Sequence, residues 1–349
     1  MHPIQLNAFP SRTVEIDGDP WLYFGGTAYL GLQANANYQE ILIRNIRRFG
    51  ASYGASRLSN VRFPLFDEAE SVLSQWTGYE SALTLSSGYL ACQLLCQTLE
   101  GSGHPLFALP NSHVALRTLN TRSDFNGIHH LATTLESSIR SGSTPVLLVD
   151  SIDFHGELYP DFKMLDELPM EDLILVVDDS HGLGVVGPGG RGSLQALKHL
   201  HPRELIACAS LNKGLALQAG VILGQEHRTS QLRQTPFFAG ASPCSPATLG
   251  TFLEALDLYE TQAAVLQQRL ASFSAKVDLN RYFEYNPGHA AFSIRHARDI
   301  ETLSRHRILA TQFDYPAQKR ANLSRIVISA AHGEEDIEAL AHSLEDPSD

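Results

Sequence analysis

Residues 172–192 have the sequence DLILVVDDSHGLGVVGPGGRG. An uninterrupted apolar run ends at two adjacent carboxylates, Asp178 and Asp179, and a glycine-rich loop follows. A near-continuous apolar run of this length is typical of a strand covered on both faces, as in a mainly parallel sheet. Carboxylates at the carboxyl end of such a strand lie where α/β sheets bind their ligands. The stretch therefore predicts both a fold class and the position of a site.

Similar apolar runs occur on both sides of this strand, and several are separated by stretches compatible with helices. This alternation predicts an α/β fold with a mostly parallel sheet buried on both faces. The other runs are ALTLSS (82–87), PLFALP (105–110), GIHHL (127–131), TPVLLVDS (144–151), ELIACAS (204–210) and AGVILG (219–224).

The last third of the chain has a different pattern. Ser245 and Pro246 begin a long helical pattern, with serine at the N-cap and proline at the first helical position. Strand, helix, strand and helix patterns then follow up to Glu345, which predicts a small α+β unit. We expect an N-terminal segment over 1–36, a large cofactor-binding domain over 37–240, and a linking helix with a small C-terminal domain over 241–349.

Charge and composition exclude several classes of function. The 349 residues include 26 Lys and Arg against 38 Asp and Glu, a formal net charge of −12, and 43% are hydrophobic. A globular chain this acidic lacks the electrostatic footprint for nucleic acid or anionic membranes, which favours a small-molecule enzyme. The sequence shows no signal peptide and no apolar stretch of membrane-spanning length. Four cysteines without a C-x-x-C pair predict reduced thiols and a cytoplasmic location.

Two glycine motifs match functional patterns without the structural context that those patterns require. Residues 182–187, GLGVVG, match a dinucleotide fingerprint, but four polar residues separate them from the strand and Pro188 follows where a helix should run. Residues 50–54, GASYG, match a nucleophile elbow, but they follow a predicted helix over 38–49 instead of a strand. A Rossmann dehydrogenase and a serine hydrolase are both disfavoured.

Lys213 and Asp178 are the residues whose positions suggest chemistry. Lys213 follows the strand ELIACAS, where apolar neighbours lower the pKa of an amine and suit a Schiff-base lysine. Asp178 can pair with the ring nitrogen of pyridoxal phosphate and keep it protonated, while His181 orients that carboxylate or contacts the ring oxygen. Taken singly, these residues are also compatible with a solvated loop lysine and with carboxylates that cap a turn.

Two further features fit the same cofactor. The turn Leu85-Ser-Ser-Gly-Tyr89 follows a predicted strand and opens an apolar helix, so its N–H groups can hold a phosphate, although serine N-caps are common. His113, just past another strand, can stack on a cofactor ring or be a structural histidine. None of the 15 histidines has the spacing of metal ligands, and we expect no metal.

Together these segments resemble the α-oxoamine synthase family of fold-type-I pyridoxal-phosphate enzymes. The strongest match is DDSHGLGVVGPGGRG followed by the lysine. The resemblance implies a large domain with a mainly parallel seven-stranded sheet, a small C-terminal α+β domain, and a homodimer with shared active sites. It covers about residues 27–345 in order, through TAYLGL, YGASR, GYESALTLSSGY, NSHVAL, VVDDSHGLGVVGPGGRG, SLNKG and SRIVISAAH.

The resemblance also implies a role for each matching residue. Lys213 would form the Schiff base with the cofactor, and Asp178 would pair with the pyridinium nitrogen. His181 would contact the phenolic oxygen, and His113 would stack on the ring. Arg325 would grip the carboxylate of an amino-acid substrate, a planar anion that suits a bidentate guanidinium. The phosphate would be held by the backbone of Gly88 and Tyr89, the hydroxyl of Ser210 and, in the neighbouring subunit's site, Ser242.

Several positions depart from the family pattern on the side that takes the acyl donor. Thr27 stands where the family has an asparagine near the substrate, and Phe66 where it has a histidine. The family's S-M-D-G-D segment is Asp153-Phe-His-Gly-Glu157 in this chain, without the serine that contacts the ring oxygen. The region that precedes residue 27 is shorter than in the family by about one helix. The resemblance therefore implies a retained cofactor site beside an altered acyl-donor side.

The function implied by the resemblance is the condensation of a small amino acid with an acyl thioester to give an α-amino ketone. The enzyme would be a pyridoxal-phosphate-dependent acyltransferase that handles a carboxylated donor such as a pimeloyl thioester poorly. Two alternatives stay open. One is another pyridoxal-phosphate reaction on the same fold, such as transamination, and the other is a non-catalytic relative that keeps the fold for binding or assembly.

Overall fold

The computed structural model describes residues 4–313 and 323–345. The strands in this part of the chain form two sheets, a central sheet of β3 to β8 and a terminal sheet that combines β1 and β2 with β9 to β12. The strands are β1 (Thr13–Ile16), β2 (Asp19–Phe24), β3 (Ser81–Leu85), β4 (Leu106–Ala108), β5 (Val146–Asp150), β6 (Ile174–Asp178), β7 (Glu204–Ser210), β8 (Gly220–Gly224), β9 (Phe283–Tyr285), β10 (Ala291–Ile294), β11 (Ile308–Phe313) and β12 (Leu323–Val327).

Capping residues set the start of several helices. The Asn35 side chain accepts a hydrogen bond from the N–H of Tyr38 at 3.1 Å, and Ser87 accepts one from Leu90 at 3.2 Å. The helices are α1 (Ala36–Phe49), α2 (Leu65–Thr77), α3 (Gly88–Gly101), α4 (Ile128–Arg140), α5 (Leu194–Leu197), α6 (Glu226–Arg233), α7 (Pro236–Gly240), α8 (Pro246–Glu254), α9 (Leu256–Lys276), α10 (Leu279–Tyr282), α11 (Ala297–Arg305) and α12 (Glu334–Glu345).

The central sheet has the strand order β3-β8-β7-β6-β5-β4. Strands β4 to β7 run parallel, whereas β8 is antiparallel to both of its neighbours. The register places Asp150 beside Asp178 and Asp178 beside Cys208. Three strands therefore bring their ends to one edge of the sheet, and the predicted α/β fold with a mainly parallel sheet is confirmed.

The predicted seventh strand of this sheet is wrong. The run GIHHL (127–131) is the start of α4, and the described residues of the central sheet make six strands. Leu131 and Leu135 are buried, while His129 and His130 are exposed, which is the spacing of a helical face. A five-residue apolar run is too short to distinguish this period from that of a strand.

Both faces of the central sheet are buried, as its sequence pattern predicts. In β6, Ile174 and Val176 pack into an apolar cluster that includes residues of α3. The alternate residues Leu175 and Val177 pack into a second cluster with residues of α4. Because successive side chains of a strand point to opposite faces, this division shows a sheet sandwiched between helices.

The terminal sheet joins the two ends of the described chain. Strand β2 pairs in parallel with β11, and β12 lies between β11 and β10. Arg325 on β12 is opposite Thr311 on one side and Ser293 on the other. This pairing fixes Arg325 in the interior of the sheet, with only 9% of its surface exposed.

The glycine-rich loop after β6 wraps around Asp179. The Asp179 carboxylate accepts hydrogen bonds from the Ser151 hydroxyl at 2.7 Å and the Ser193 N–H at 2.9 Å. A Cβ atom at Gly182 or Gly192 would fall 1.9 or 2.3 Å from its oxygens, so both positions require glycine. These glycines serve packing around a buried carboxylate and do not open a helix, which agrees with the rejection of a dinucleotide motif.

Residues 50–54 follow α1 and not a strand, so the structure also excludes the nucleophile elbow. None of the helices described has the length and apolar composition needed to cross a membrane.

Candidate active site

One cavity of about 290 Å³ brings together most of the predicted site residues. Asp178, His181 and Lys213 line it from the carboxyl edge of the central sheet, and Arg325 lines it from the terminal sheet. The predicted residues Thr27 and His113 also line it, with Gly26, Asn111, Asp150, Ile152, Asp153, Phe154, His155 and Thr311.

Lys213 is the last member of a hydrogen-bonded chain. Its Nζ lies 2.9 Å from Nε2 of His181, and Nδ1 of His181 lies 2.7 Å from the hydroxyl of Tyr29. Burial lowers the pKa of Lys213, and burial together with the charge of Lys213 lowers the pKa of His181 well below its usual value. A lowered pKa increases the fraction of the amine that is unprotonated, and the unprotonated amine can act as a nucleophile or a base.

A second histidine holds the backbone of His181. Nδ1 of His289 accepts the N–H of Ala291 at 3.2 Å, so its Nε2 carries the proton and donates to the carbonyl of His181 at 3.1 Å. Burial lowers the pKa of His289 to about 4. His289 is therefore a neutral structural donor near pH 7.

Asp178 is 6% exposed. Its Oδ1 accepts the N–H of Ser180 at 3.0 Å, and its Oδ2 lies 4.0 Å from the Cys92 sulfur. The neighbouring carboxyl of Asp150 accepts the N–H of His113 at 2.8 Å, which ties the His113 loop to β5. Burial and the charge of Asp178 raise the pKa of Asp150 well above its usual value.

The turn before α3 forms a tight cradle. A Cβ at Gly88 would lie 2.6 Å from the backbone N of Ser210, and a Cβ at Gly220 would lie 2.1 Å from the carbonyl of Ser87. Only glycine allows these backbones to approach so closely. The cradle leaves the N-terminus of a fourteen-residue helix facing the end of β7, next to the loop of Lys213, and Tyr89 is 56% exposed.

The altered segment after β5 has a structural role of its own. Asp153 accepts the N–H groups of four successive residues, 155–158, at 2.7–2.9 Å. The next residue, Phe154, packs its ring edge-on against His181 at 4.7 Å, and the guanidinium carbon of Arg325 lies 3.8 Å from the centre of that ring. Phe154 therefore contacts both His181 and Arg325, the predicted cofactor-binding and substrate-binding residues.

The predicted phosphate-binding residues Gly88, Tyr89 and Ser210 do not line this cavity, and neither do Ser242 and Phe66. Ser242 is exposed on the segment after α7, and its predicted role in a neighbouring subunit's site stays a prediction. Phe66 is buried under the Arg57 guanidinium, whose carbon lies 4.5 Å from the ring centre. In the part of the chain that is described, no group of three or more His, Cys, Asp or Glu side chains is placed to hold a metal ion.

Sequence reasoning missed Tyr29, His289 and the contact of Phe154 with Arg325. Tyr29 lies within TAYLGL, the matched segment that also contains Thr27. The Tyr29 ring is fully buried and burial raises its pKa, but its partner His181 is 152 residues away. No local pattern marks such a pair.

Comparison with known proteins shows which sequences this chain resembles. The chain is 30% identical over 272 residues to 8-amino-7-oxononanoate synthase from Mycobacterium sp. (strain KMS), covering 73% of this chain and 71% of that protein. It is 29% identical over 358 residues to the same synthase from Azoarcus sp. (strain BH72), covering 97% and 91%. No family model matches.

Solved structures share the fold. Sphingomonas wittichii serine palmitoyltransferase matches with a TM-score of 0.83 at 16% identity, over 98% of this chain and 91% of that one. The 8-amino-7-oxononanoate synthase of Francisella tularensis matches with a TM-score of 0.68 at 18% identity, over 93% and 96%.

Fold and relatives define the class of the protein as a fold-type-I pyridoxal-phosphate enzyme. Within that class, the chain belongs to the α-oxoamine synthase family.

Proposed function

We propose that this enzyme uses pyridoxal phosphate to condense a small amino acid with an acyl thioester, giving an α-amino ketone. The observation that carries the proposal is the cavity in which a lysine of lowered pKa, the Asp178 carboxylate and the Arg325 guanidinium meet. The relatives named 8-amino-7-oxononanoate synthase support the same class of reaction.

The residues present fit the cofactor. The cradle at Gly88 would hold the phosphate through the N-terminal N–H groups of α3 with Tyr89 and the Ser210 hydroxyl, because a helix N-terminus favours an anion. Asp178 would hold the ring nitrogen, His113 would stack on the ring, and Lys213 would bind covalently. When bound, pyridoxal phosphate supplies an electron sink for the carbanion formed at the substrate α-carbon.

The remaining chemistry belongs to side chains of the cavity. Arg325 binds the carboxylate of the amino acid, and the ring of Phe154 fixes the guanidinium from one side. Lys213 takes the proton from the α-carbon. Tyr29 at Nδ1 and His289 at the backbone carbonyl hold His181 in place. Its Nε2, which lies 2.9 Å from Lys213 Nζ, would be the nitrogen available to the phenolic oxygen of the cofactor once Lys213 is engaged with the cofactor.

The bonds balance with one proton taken up from water. The Cα–H bond of the amino acid and the C–S bond of the thioester break, a C–C bond forms between the α-carbon and the acyl carbon, and the thiol leaves with the α-proton. The bond between the α-carbon and the carboxylate then breaks with release of carbon dioxide, and the α-carbon takes up a proton from water to give the α-amino ketone.

We also propose a homodimer. Ser242 and Tyr89 are exposed in the single chain although both are predicted to hold phosphate. Apolar side chains are exposed on α1 and on the segment after it, where Ile43, Leu58 and Val61 have 39%, 47% and 67% of their surfaces accessible. A second copy that covers such surfaces would complete both sites.

A cytoplasmic location is part of the proposal. Cys92, Cys96, Cys208 and Cys244 are free and buried, which suits a reducing compartment.

A thiol-release assay tests the proposed function. Purified protein loaded with cofactor is mixed with glycine, alanine or serine and a panel of acyl-coenzyme A donors, and free thiol is measured. We expect an amino acid to change the visible spectrum and to drive thiol release from at least one donor. Spectral binding of an amino acid without thiol release from any donor would overturn the synthase proposal, and formation of the matching keto acid would identify an aminotransferase.

A further inference from the structure

A second cavity adjoins the reaction cavity. Its volume is about 210 Å³, and it shares three lining residues with the reaction cavity, Asn111, Asp150 and Asp153. It lies beyond the ends of β4 and β5, under the first turns of α4. A molecule that occupies both cavities would pass the Asp150 and Asp153 boundary.

The lining of this side cavity is mostly apolar. Leu131 and Leu158 are 1% and 3% exposed. An apolar protein cavity of about 150 Å³ accepts benzene, so this cavity has room for a chain of roughly six to eight carbons. The apolar lining residues are Leu109, Pro110, Phe125, Ile128, Leu131, Leu158 and Met164.

The two acidic side chains at the boundary already have partners. Asp153 accepts the four N–H groups of residues 155–158, and Asp150 accepts the N–H of His113. They form a fixed rim, so specific polar recognition of a ligand is not expected inside the side cavity.

The charges of the side cavity also select against an anion. The carboxylates of Asp153 and Glu157 contribute to its wall, and no Lys, Arg or His is among its described lining residues. A chain that ends in a carboxylate would lose its hydration beside these acids without gaining a cationic partner. A neutral chain has no such cost.

We propose that the side cavity is the subsite for the acyl chain of the donor, and that the donor is a neutral, unbranched acyl thioester of about six to eight carbons. The inference rests on the proposed function and specifies its second substrate. A chain in the side cavity extends past the shared rim, so its thioester end lies in the cavity of Lys213.

Calorimetric titration of the cofactor-loaded enzyme without amino acid tests the subsite directly. The probes are acetyl-, octanoyl- and pimeloyl-coenzyme A. Since each buried methylene raises affinity about fourfold, we expect octanoyl-coenzyme A to bind at least about a hundredfold more tightly than the acetyl compound. Pimeloyl-coenzyme A should bind at least about tenfold more weakly than octanoyl-coenzyme A.

A variant that fills the side cavity localises the effect. Ile128→Trp should remove most of the preference for octanoyl- over acetyl-coenzyme A and leave acetyl-coenzyme A binding unchanged. Ile139→Trp is the matched control, because Ile139 lies on the same helix and does not line the cavity. Met164→Trp is the second filling variant if Ile128→Trp does not fold, since Met164 is only partly buried.

The outcomes separate this inference from the proposed function. Equal affinity for acetyl- and octanoyl-coenzyme A, tighter binding of pimeloyl-coenzyme A, or an unchanged octanoyl preference in both filling variants would overturn the subsite while thiol release continued. Absence of thiol release from every donor would overturn the function instead.

Discussion

The two halves of the reaction cavity are built in different ways. On the cofactor side, Asp178 ends β6 and Lys213 follows β7, and these strands are neighbours in register. On the substrate side, Arg325 is held by pairing between strands from distant parts of the chain and by contact with Phe154. The cofactor half follows from local sequence, whereas the substrate half depends on long-range pairing.

This difference has a functional counterpart. In the proposed reaction the cofactor-side residues would act on the reacting atoms, so their substitution should mainly lower kcat. Arg325 would bind the substrate carboxylate, which is unchanged until the new bond has formed, so its substitution should mainly raise KM. The substitutions below test this division, from the largest expected effect to the smallest.

Lys213→Ala should lower kcat by about ten-thousandfold or more, because both the covalent link to the cofactor and the base are lost. Borohydride reduction followed by peptide mapping should find no fixed cofactor in the variant. Lys198→Ala, an exposed lysine, is the control. Reduced cofactor on any lysine other than Lys213 in the unaltered enzyme would contradict the assignment.

Arg325→Ala should weaken amino-acid binding by about 2–5 kcal/mol, the cost of breaking a buried charge pair, and leave the cofactor bound. The measurement is spectral titration with amino acids and with simple amines, and only the amino acids should lose affinity. Arg298→Ala, whose side chain is 74% exposed, is the control. A drop in kcat with an unchanged KM would contradict the assignment of Arg325 to substrate binding.

Asp178→Asn should lower kcat about ten- to a hundredfold and leave the KM for the amino acid nearly unchanged. An amide cannot keep the ring nitrogen protonated, and a charge-assisted hydrogen bond of about 1.5–3 kcal/mol is lost. Asp172→Asn, at an exposed position before the same strand, is the comparison. Full activity of Asp178→Asn would show that Asp178 is not the partner of the ring.

Tyr29→Phe should lower kcat about two- to tenfold, because one hydrogen bond that orients His181 is worth about 0.5–1.5 kcal/mol. The KM for the amino acid should not change. Tyr282→Phe, buried outside the reaction cavity, controls for the loss of a hydroxyl. Equal losses in the two variants would place Tyr29 among purely structural residues.

Asp179→Asn should act on stability and not on catalysis. Burial raises the pKa of Asp179 to about 6, against about 3.9 in an unfolded chain. Between these values the folded chain holds a proton that the unfolded chain releases, so the free energy of unfolding falls as pH rises from about 4 to 6, by on the order of 1–3 kcal/mol. Denaturant unfolding of the variant should show a flatter pH dependence over that range.

Much of the fold follows from short sequence signals, and its exceptions have physical causes. Apolar runs that end in polar residues predict β3 to β8 because the strands are buried on both faces. The run at 127–131 gives the same signal but is too short to show its helical period. The single long helix predicted from Pro246 is two helices, which are separated at Ala255.

The site was predictable where residues follow strand ends. Asp178, His181, Lys213 and His113 reach one cavity because parallel strands end at a common edge. The hydrogen bond between Tyr29 and His181 depends on packing between distant parts of the chain, and no sequence spacing predicts it. The role of Asp153 as the acceptor of four N–H groups is equally invisible, since it depends on the path of the loop.

The parallel pairing of β2 with β11 has a consequence for synthesis on the ribosome. The N–H of Gly26 donates a hydrogen bond to the hydroxyl of Thr311, 285 residues later in the chain. At a synthesis rate of about 5–20 residues per second, Thr311 is made roughly 15–60 s after Gly26. The central sheet is complete in sequence once Gly224 has emerged. During the interval, the nascent N-terminal hairpin presents β2 as an open edge, which is a template for pairing with another chain. Rapid elongation over residues 225–313 shortens this exposure.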